Sequence, residues 1–210
     1  MRASIERIEG IEPVRRTAIV LAGGRSLRMG VDKASIVFQG EPLLTRVINR
    51  LSSLWNEIFV VAAPGQTLPP IVSDSVRVLR DEYPGKGPLG GIYTGLKAAE
   101  TGHCSVVACD MPFVNAQALA EMLTIAQEGN YEAVIPLASD QLHYLHAVYR
   151  RTLLPSIEQA LCTDQLALHA FVDDKTIRVM SEYEMKALDS ELQFHLNVNA
   201  PKDLVRAAKH

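Results

Sequence analysis

The residues Leu21-Ala22-Gly23-Gly24-Arg25-Ser26-Leu27-Arg28-Met29-Gly30-Val31-Asp32-Lys33 combine three glycines with three cations. Glycine has no Cβ, so such a loop can bring bare backbone N–H groups against a phosphate chain. Arginine and lysine then neutralise the oxygens. The spacing is neither the Walker pattern nor the dinucleotide fingerprint Gly-x-Gly-x-x-Gly. It reads as a third kind of phosphate loop, and nucleotide chemistry is the expectation. A second loop, Asp81-Glu82-Tyr83-Pro84-Gly85-Lys86-Gly87-Pro88-Leu89-Gly90-Gly91, ends at a helix start and offers rigid backbone groups suited to the edge of a flat base. Asp110 follows an apolar run, beside Met111-Pro112. A carboxylate there, facing a phosphate loop, can hold Mg2+ with few protein ligands, the phosphates and waters supplying the rest.

These residues need elements to position them. Apolar runs at 17–21, 58–62, 76–79, 105–109 and 133–136 read as strands covered on both faces, because they are near-continuous rather than alternating. Helical patterns lie between them at 42–53, 89–100 and 115–127, the last capped by Asn115. The alternation predicts a Rossmann-like three-layer α/β/α fold with a mainly parallel central sheet, right-handed crossovers and ligands beyond the carboxyl ends of the strands. Gly23 and Asp110 both fall at that edge. The second half reads as a strand at 145–149, helices at 153–161 and 165–171, a strand at 176–179, and a last helix from Asn199-Ala200-Pro201 to 208. Residues 1–16 read as an N-terminal extension and 17–210 as one domain.

The chain has 210 residues, 48 % hydrophobic and 21 % charged, with net charge −3. That excludes nucleic-acid binding through a basic surface, so any polyanion site is local. No apolar run approaches the roughly 20 residues needed to span a membrane. The N-terminus does not read as a secretory signal and the three cysteines, Cys104, Cys109 and Cys162, do not read as a disulfide framework, so the expected location is cytoplasmic. His143 and His146 would face opposite sides of a strand and read as scattered polar residues rather than a metal site. His169 and His195 read as isolated structural histidines. Arg150-Arg151 reads as a solvated pair, with guidance of an anionic substrate as the alternative.

The order Leu-Ala-Gly-Gly, Arg-Met-Gly, Asp-Lys, Gly-Pro-Leu-Gly-Gly-Ile, Cys-Asp-Met-Pro and Asn-Val-Asn-Ala-Pro resembles the molybdenum cofactor guanylyltransferase family, over nearly all of 17–204. The resemblance implies a nucleotidyltransferase that moves GMP from GTP to molybdopterin and releases pyrophosphate. It implies that Leu21, Ala22, Gly23 and Gly24 bind the nucleotide through their backbone. Lys33 and Arg28 would contact phosphates, Asp81 with Gly87, Pro88 and Leu89 would lie against the base, and Asp110 would hold Mg2+. Asn197 and Asn199 would face the pterin. Asn199 also reads as a helix cap and Asp81 as an ordinary loop carboxylate. The implied partners are GTP and molybdopterin, with molybdoenzyme apoproteins or delivery chaperones downstream. One departure stands out: the family often has an asparagine after the second strand, and residues 60–63, Val-Val-Ala-Ala, have none. That keeps two alternatives open, a cytidylyltransferase acting on molybdopterin or another phosphorylated small molecule, and a non-catalytic nucleotide or cofactor-delivery protein.

Overall fold

β1 (Thr17–Leu21) is buried at every position, and its side chains divide between two cores. Ala18 and Val20 enter one apolar cluster, Ile19 and Leu21 the other. This is the period-two alternation of a strand covered on both faces, and it makes the domain three layers deep. The computed structural model describes residues 15–23, 32–173, 175–198 and Asp203. Gly24, Arg28 and Asn199 lie outside them, as does nearly all of the expected last helix.

After β1 come a 3-10 turn (Lys33–Ser35), a small hairpin of β2 (Val37–Phe38) and β3 (Glu41–Pro42), and α1 (Leu43–Leu51). β4 (Glu57–Ala62), β5 (Val76–Arg80), α2 (Gly87–Ala98), β6 (His103–Ala108) and α3 (Ala116–Glu128) follow. Then come β7 (Ala133–Ala138), β8 (Gln141–Leu142), β9 (His146–Arg150), α4 (Leu154–Cys162), α5 (Leu168–Val172), β10 (Ile177–Met180) and α6 (Glu182–Leu188). The sheet runs β10-β7-β9-β6-β1-β4-β5, with β8 beside β7. β1, β4, β5 and β6 pair parallel, as do β7 and β10. β9 alone of the main strands runs antiparallel to both its neighbours, so the sheet is mainly parallel, as expected.

The elements differ from the sequence expectation chiefly at boundaries. β6 begins two residues before the expected run, the helix expected at 165–171 is Leu168–Val172, and β2, β3, β8 and α6 were not anticipated. Asn115 caps α3 as expected, its side chain accepting from the Ala118 amide at 2.9 Å. Among the described residues no helix is long and apolar enough to cross a membrane.

α2 sits directly on β1 because it presents glycines there. A Cβ on Gly91 would lie 2.8 Å from Leu21 Cδ2, and one on Gly95 would meet three Ile19 side-chain carbons at 2.6–2.7 Å. The close seating carries the Gly87-Pro88-Leu89 turn to the strand ends. Gly95→Ala is therefore expected to lower stability. Overpacking costs about 1–3 kcal/mol against about 1 kcal/mol gained in helix propensity. Thermal melting should show a drop, while Gly102→Ala, where a Cβ meets nothing within 4 Å, should not. A Gly95→Ala protein as stable as the parent would sink this account of the packing.

Candidate active site

The C-terminal ends of four neighbouring strands are stapled into one edge. The Cys109 amide donates to Leu21 O at 3.0 Å, joining the ends of β6 and β1. Ala22 and Gly23 both donate to Val61 O, at 2.9 and 3.1 Å, joining β1 to β4. The Asp81 amide donates to Ala62 O at 2.9 Å, joining β4 to β5. Asp110, Gly23 and Asp81 therefore stand along one line of the sheet edge, as the strand-end argument requires. The same bonds occupy the amides of Ala22 and Gly23. Gly23 is also crowded, since a Cβ there would lie 3.1 Å from the Ala63 nitrogen.

At the β6 end, Asp110 Oδ2 accepts from Lys33 Nζ at 2.6 Å. The two residues are 77 apart in sequence and meet because Lys33 opens a 3-10 turn capped by Asp32, whose Oδ1 accepts from the Ala34 amide at 3.0 Å. A small apolar cluster joins the segments that carry the pair. It unites Ile36, next to the Lys33 turn, with Phe38 and Leu43, with Phe113 from the segment after Asp110, and with Val198. The Val198 amide donates to the Asp110 carbonyl at 2.9 Å, so exposed Asn197 is brought beside the Asp110 turn.

Among the described residues, Asp110 Oδ1 is buried without a hydrogen-bond partner. A carboxylate oxygen in that state is costly unless something positive meets it. No group of three or more His, Cys, Asp or Glu converges as a metal cage among the described residues. A single carboxylate oxygen, with phosphates completing the shell, fits a Mg2+-type cation that keeps most of its waters.

At the β5 end, Asp81 Oδ1 accepts from the Tyr83 amide at 2.9 Å, with the Thr94 hydroxyl 3.5 Å away. Burial holds its carboxyl above the ordinary value, and the Tyr83 amide opposes that. The loop behind it turns through Gly85 and Gly87 at φ +86 and +66, conformations open to glycine, with Pro88 in the first turn of α2. The loop is bolted to α4 and the turn beyond it. Tyr93 donates to Glu158 at 3.0 Å, Tyr83 packs edge-on against Tyr93, and Lys86 pairs with Asp164 at 2.7 Å.

The matching profile is that of the MobA-like NTP transferase domain, over residues 18–178. This chain belongs to that family. As a MobA-like NTP transferase it is 32 % identical over 205 residues to a probable molybdenum cofactor guanylyltransferase of Peptoclostridium acidaminophilum, covering 95 % of this chain and 90 % of that one. It is 36 % identical to another so described from Mycobacterium avium, covering 92 % and 95 %. Molybdopterin-guanine dinucleotide biosynthesis protein A from Archaeoglobus fulgidus shares the fold, with a TM-score of 0.78 at 23 % identity and coverage of 92 % and 97 %. The MobA-like NTP transferase domain thus places Lys33, Asp110, Gly23, Asp81 and the 87–89 turn on one edge, with Asn197 adjoining.

One reading from sequence is corrected, and one alternative falls. The histidines are not scattered: His143 and His195 rings lie 4.8 Å apart, and His146 packs on Phe194 at 4.6 Å. His143 precedes β9 rather than lying in it, so strand alternation does not separate the pair. Arg150 ends antiparallel β9 opposite His103, at the far edge from Asp110, and donates to Asn130 O, while Arg151 donates to Leu96 O. Neither reaches the site.

Burial drives His146 down to about 3 and lowers His143 and His103 as well. Below the ordinary histidine value the unfolded chain takes up protons that the folded chain refuses. These groups therefore support the fold above pH ~6.5, and their contribution fades as pH falls. Raised Asp81 works in the opposite direction. Denaturant titrations are expected to show about 2 kcal/mol lost through His146 by pH ~5. His146→Gln should flatten that slope, and an unchanged slope would contradict a buried neutral imidazole.

Proposed function

We propose that this chain transfers GMP from GTP to molybdopterin, forming the guanine dinucleotide and releasing pyrophosphate. The observation that carries it is the Lys33–Asp110 pair at the strand edge, with Asp110 Oδ1 left unpartnered among the described residues. The relatives' descriptions support the choice of reaction. An oxygen of the acceptor's phosphate bonds to the α-phosphorus, and the α–β phosphoanhydride bond breaks, its oxygen leaving with pyrophosphate. The nucleophile is already anionic, so no strong protein base is needed. The task is to bring two polyanions together, which positioning and fixed positive charge accomplish.

Lys33 would meet the triphosphate, together with Arg28 and the backbone of Gly24, the Gly23 amide being held by Val61 O. Asp110 would hold Mg2+, which supplies Lewis-acid neutralisation of phosphate oxygens when bound. Asp81 with Gly87, Pro88 and Leu89 would read the base. A carboxylate only accepts hydrogen bonds. It therefore complements the adjacent N–H and amino donors of guanine and opposes the ring-nitrogen acceptor of cytosine. Asn197 and Asn199 would line the pterin side.

A thermal-shift series with GTP, CTP, ATP and UTP, each with and without Mg2+, tests this. A ligand at about 100 times its Kd adds about 2.7 kcal/mol, which moves Tm by several degrees. GTP with Mg2+ is expected to stabilise most, and incubation with molybdopterin to yield pyrophosphate and a dinucleotide. Preferential stabilisation by CTP would transfer the chain to cytidylyl chemistry. Stabilisation by GTP without pyrophosphate release would make it a carrier.

A further inference from the structure

Gln66 is a polar residue in the turn after β4, and its side chain is fully used. Its Oε1 accepts from the Ala63 amide at 2.8 Å. Its Nε2 donates to Ala22 O at 3.0 Å and to Asp32 Oδ2 at 2.7 Å. A primary amide has two N–H donors, and both are spent. The turn that presents this amide is itself fixed from β5: Arg80 Nη1 donates to Ala63 O at 3.1 Å and to Gln66 O at 3.0 Å. Gln66 therefore ties together the end of β1, the end of β4 and the residue that precedes Lys33.

Asp32 is held at both oxygens, Oδ1 by the Ala34 amide and Oδ2 by Gln66. That fixes the start of the 3-10 turn from which Lys33 reaches Asp110. It also keeps the Asp32 carboxylate engaged. A free carboxylate one residue from the phosphate cation would compete for its charge. Glutamate at 66 would set an acceptor against two acceptors, and asparagine is one methylene shorter.

We propose that Gln66 is a positioning residue for Lys33, acting through Asp32 to aim the ammonium at the nucleotide phosphates. The proposal rests on the guanylyltransferase reading for its substrate.

The test is a cycle of Gln66→Ala, Lys33→Ala and the double variant, with Gln66→Glu beside it. Gln66→Ala is expected to keep a native circular dichroism spectrum while kcat for GTP-dependent pyrophosphate release falls about 10- to 100-fold. On the Lys33→Ala background the same change should cost no more than about twofold, because the group it aims is gone. Gln66→Glu should match Gln66→Ala at about pH 8 and recover activity near pH ~5.5, where a protonated carboxyl can donate to Asp32. The cycle is read in parallel from binding of Mg2+-tripolyphosphate, which needs only the phosphate end. Wild-type protein without GTP turnover would count against the proposed reaction, and the binding cycle then decides on Gln66. Equal losses on both backgrounds, or a Gln66→Glu pH profile parallel to wild type, would overturn the positioning role. Should Gln66→Ala fail to fold, the Gln66→Glu profile decides between the two.

Discussion

Asp110→Asn is expected to abolish most turnover, by at least about 10³-fold, while leaving the fold in place. The substitution is nearly isosteric, and the backbone bond from the Val198 amide to the Asp110 carbonyl does not depend on the side chain. What disappears is charge. Oδ2 now answers the Lys33 ammonium, and buried Oδ1 has no partner among the described residues. An amide at 110 offers one weaker acceptor and an NH2 group that repels a cation. The loss should therefore appear in the metal dependence as well as in kcat. Pyrophosphate release titrated with Mg2+ should need higher concentrations for half-maximal rate in the variant, with rate still far below wild type at saturation. Melting of the free protein should move little, since Asp110 pairs with a lysine that is partly exposed. An Asp110→Asn enzyme with near-parental turnover and the same Mg2+ titration would remove the carboxylate from the chemistry.

The reach of the sequence can be judged on particular residues. Gly23 and Asp110 were legible because each follows a continuous apolar run, and a buried parallel strand puts its C-terminal residue at the ligand edge. Asp81 was legible through its loop: the glycines and prolines around it can only be a turn into a helix. The Lys33–Asp110 contact was foreseen only as two groups meeting one substrate. That they meet each other depends on the Ile36, Phe38, Leu43, Phe113 and Val198 cluster, whose members carry no common period. Gln66 was not legible at all. It sits in a loop without periodicity, and its partner Asp32 lies 34 residues earlier. α6 could have been found, because Ser181 and Glu184 form a capping box with reciprocal side-chain and backbone bonds. The histidine group could not. Its members come from the turn before β9, from β9 itself and from the 3-10 turn at Gln193–His195, and only the tertiary fold unites them.

Lys33→Ala is expected to cost about 10²- to 10³-fold in turnover, comparable to losing one preorganised donor at a developing negative charge. The side chain is 28 % exposed but its partner Asp110 only 12 %, so removing the ammonium also leaves a buried carboxylate unpaired and is expected to lower stability. A residue that merely braced the fold would lose activity only as folded protein is lost, whereas a phosphate cation loses turnover per folded molecule. Its pairing with Asp110 keeps the ammonium beside the carboxylate proposed to hold Mg2+, close to where the triphosphate would arrive, so little reorganisation is needed at the moment of transfer. Lys33→Arg separates charge from shape. The guanidinium retains the charge but is a planar fork rather than a compact point, and it cannot occupy the ammonium's place against Asp110 Oδ2 without displacement. It should recover nucleotide binding more than turnover. Steady-state kinetics with GTP would show this as a KM close to wild type with kcat still depressed, and a Lys33→Ala enzyme of undiminished kcat would show that the positive charge at this edge comes from elsewhere.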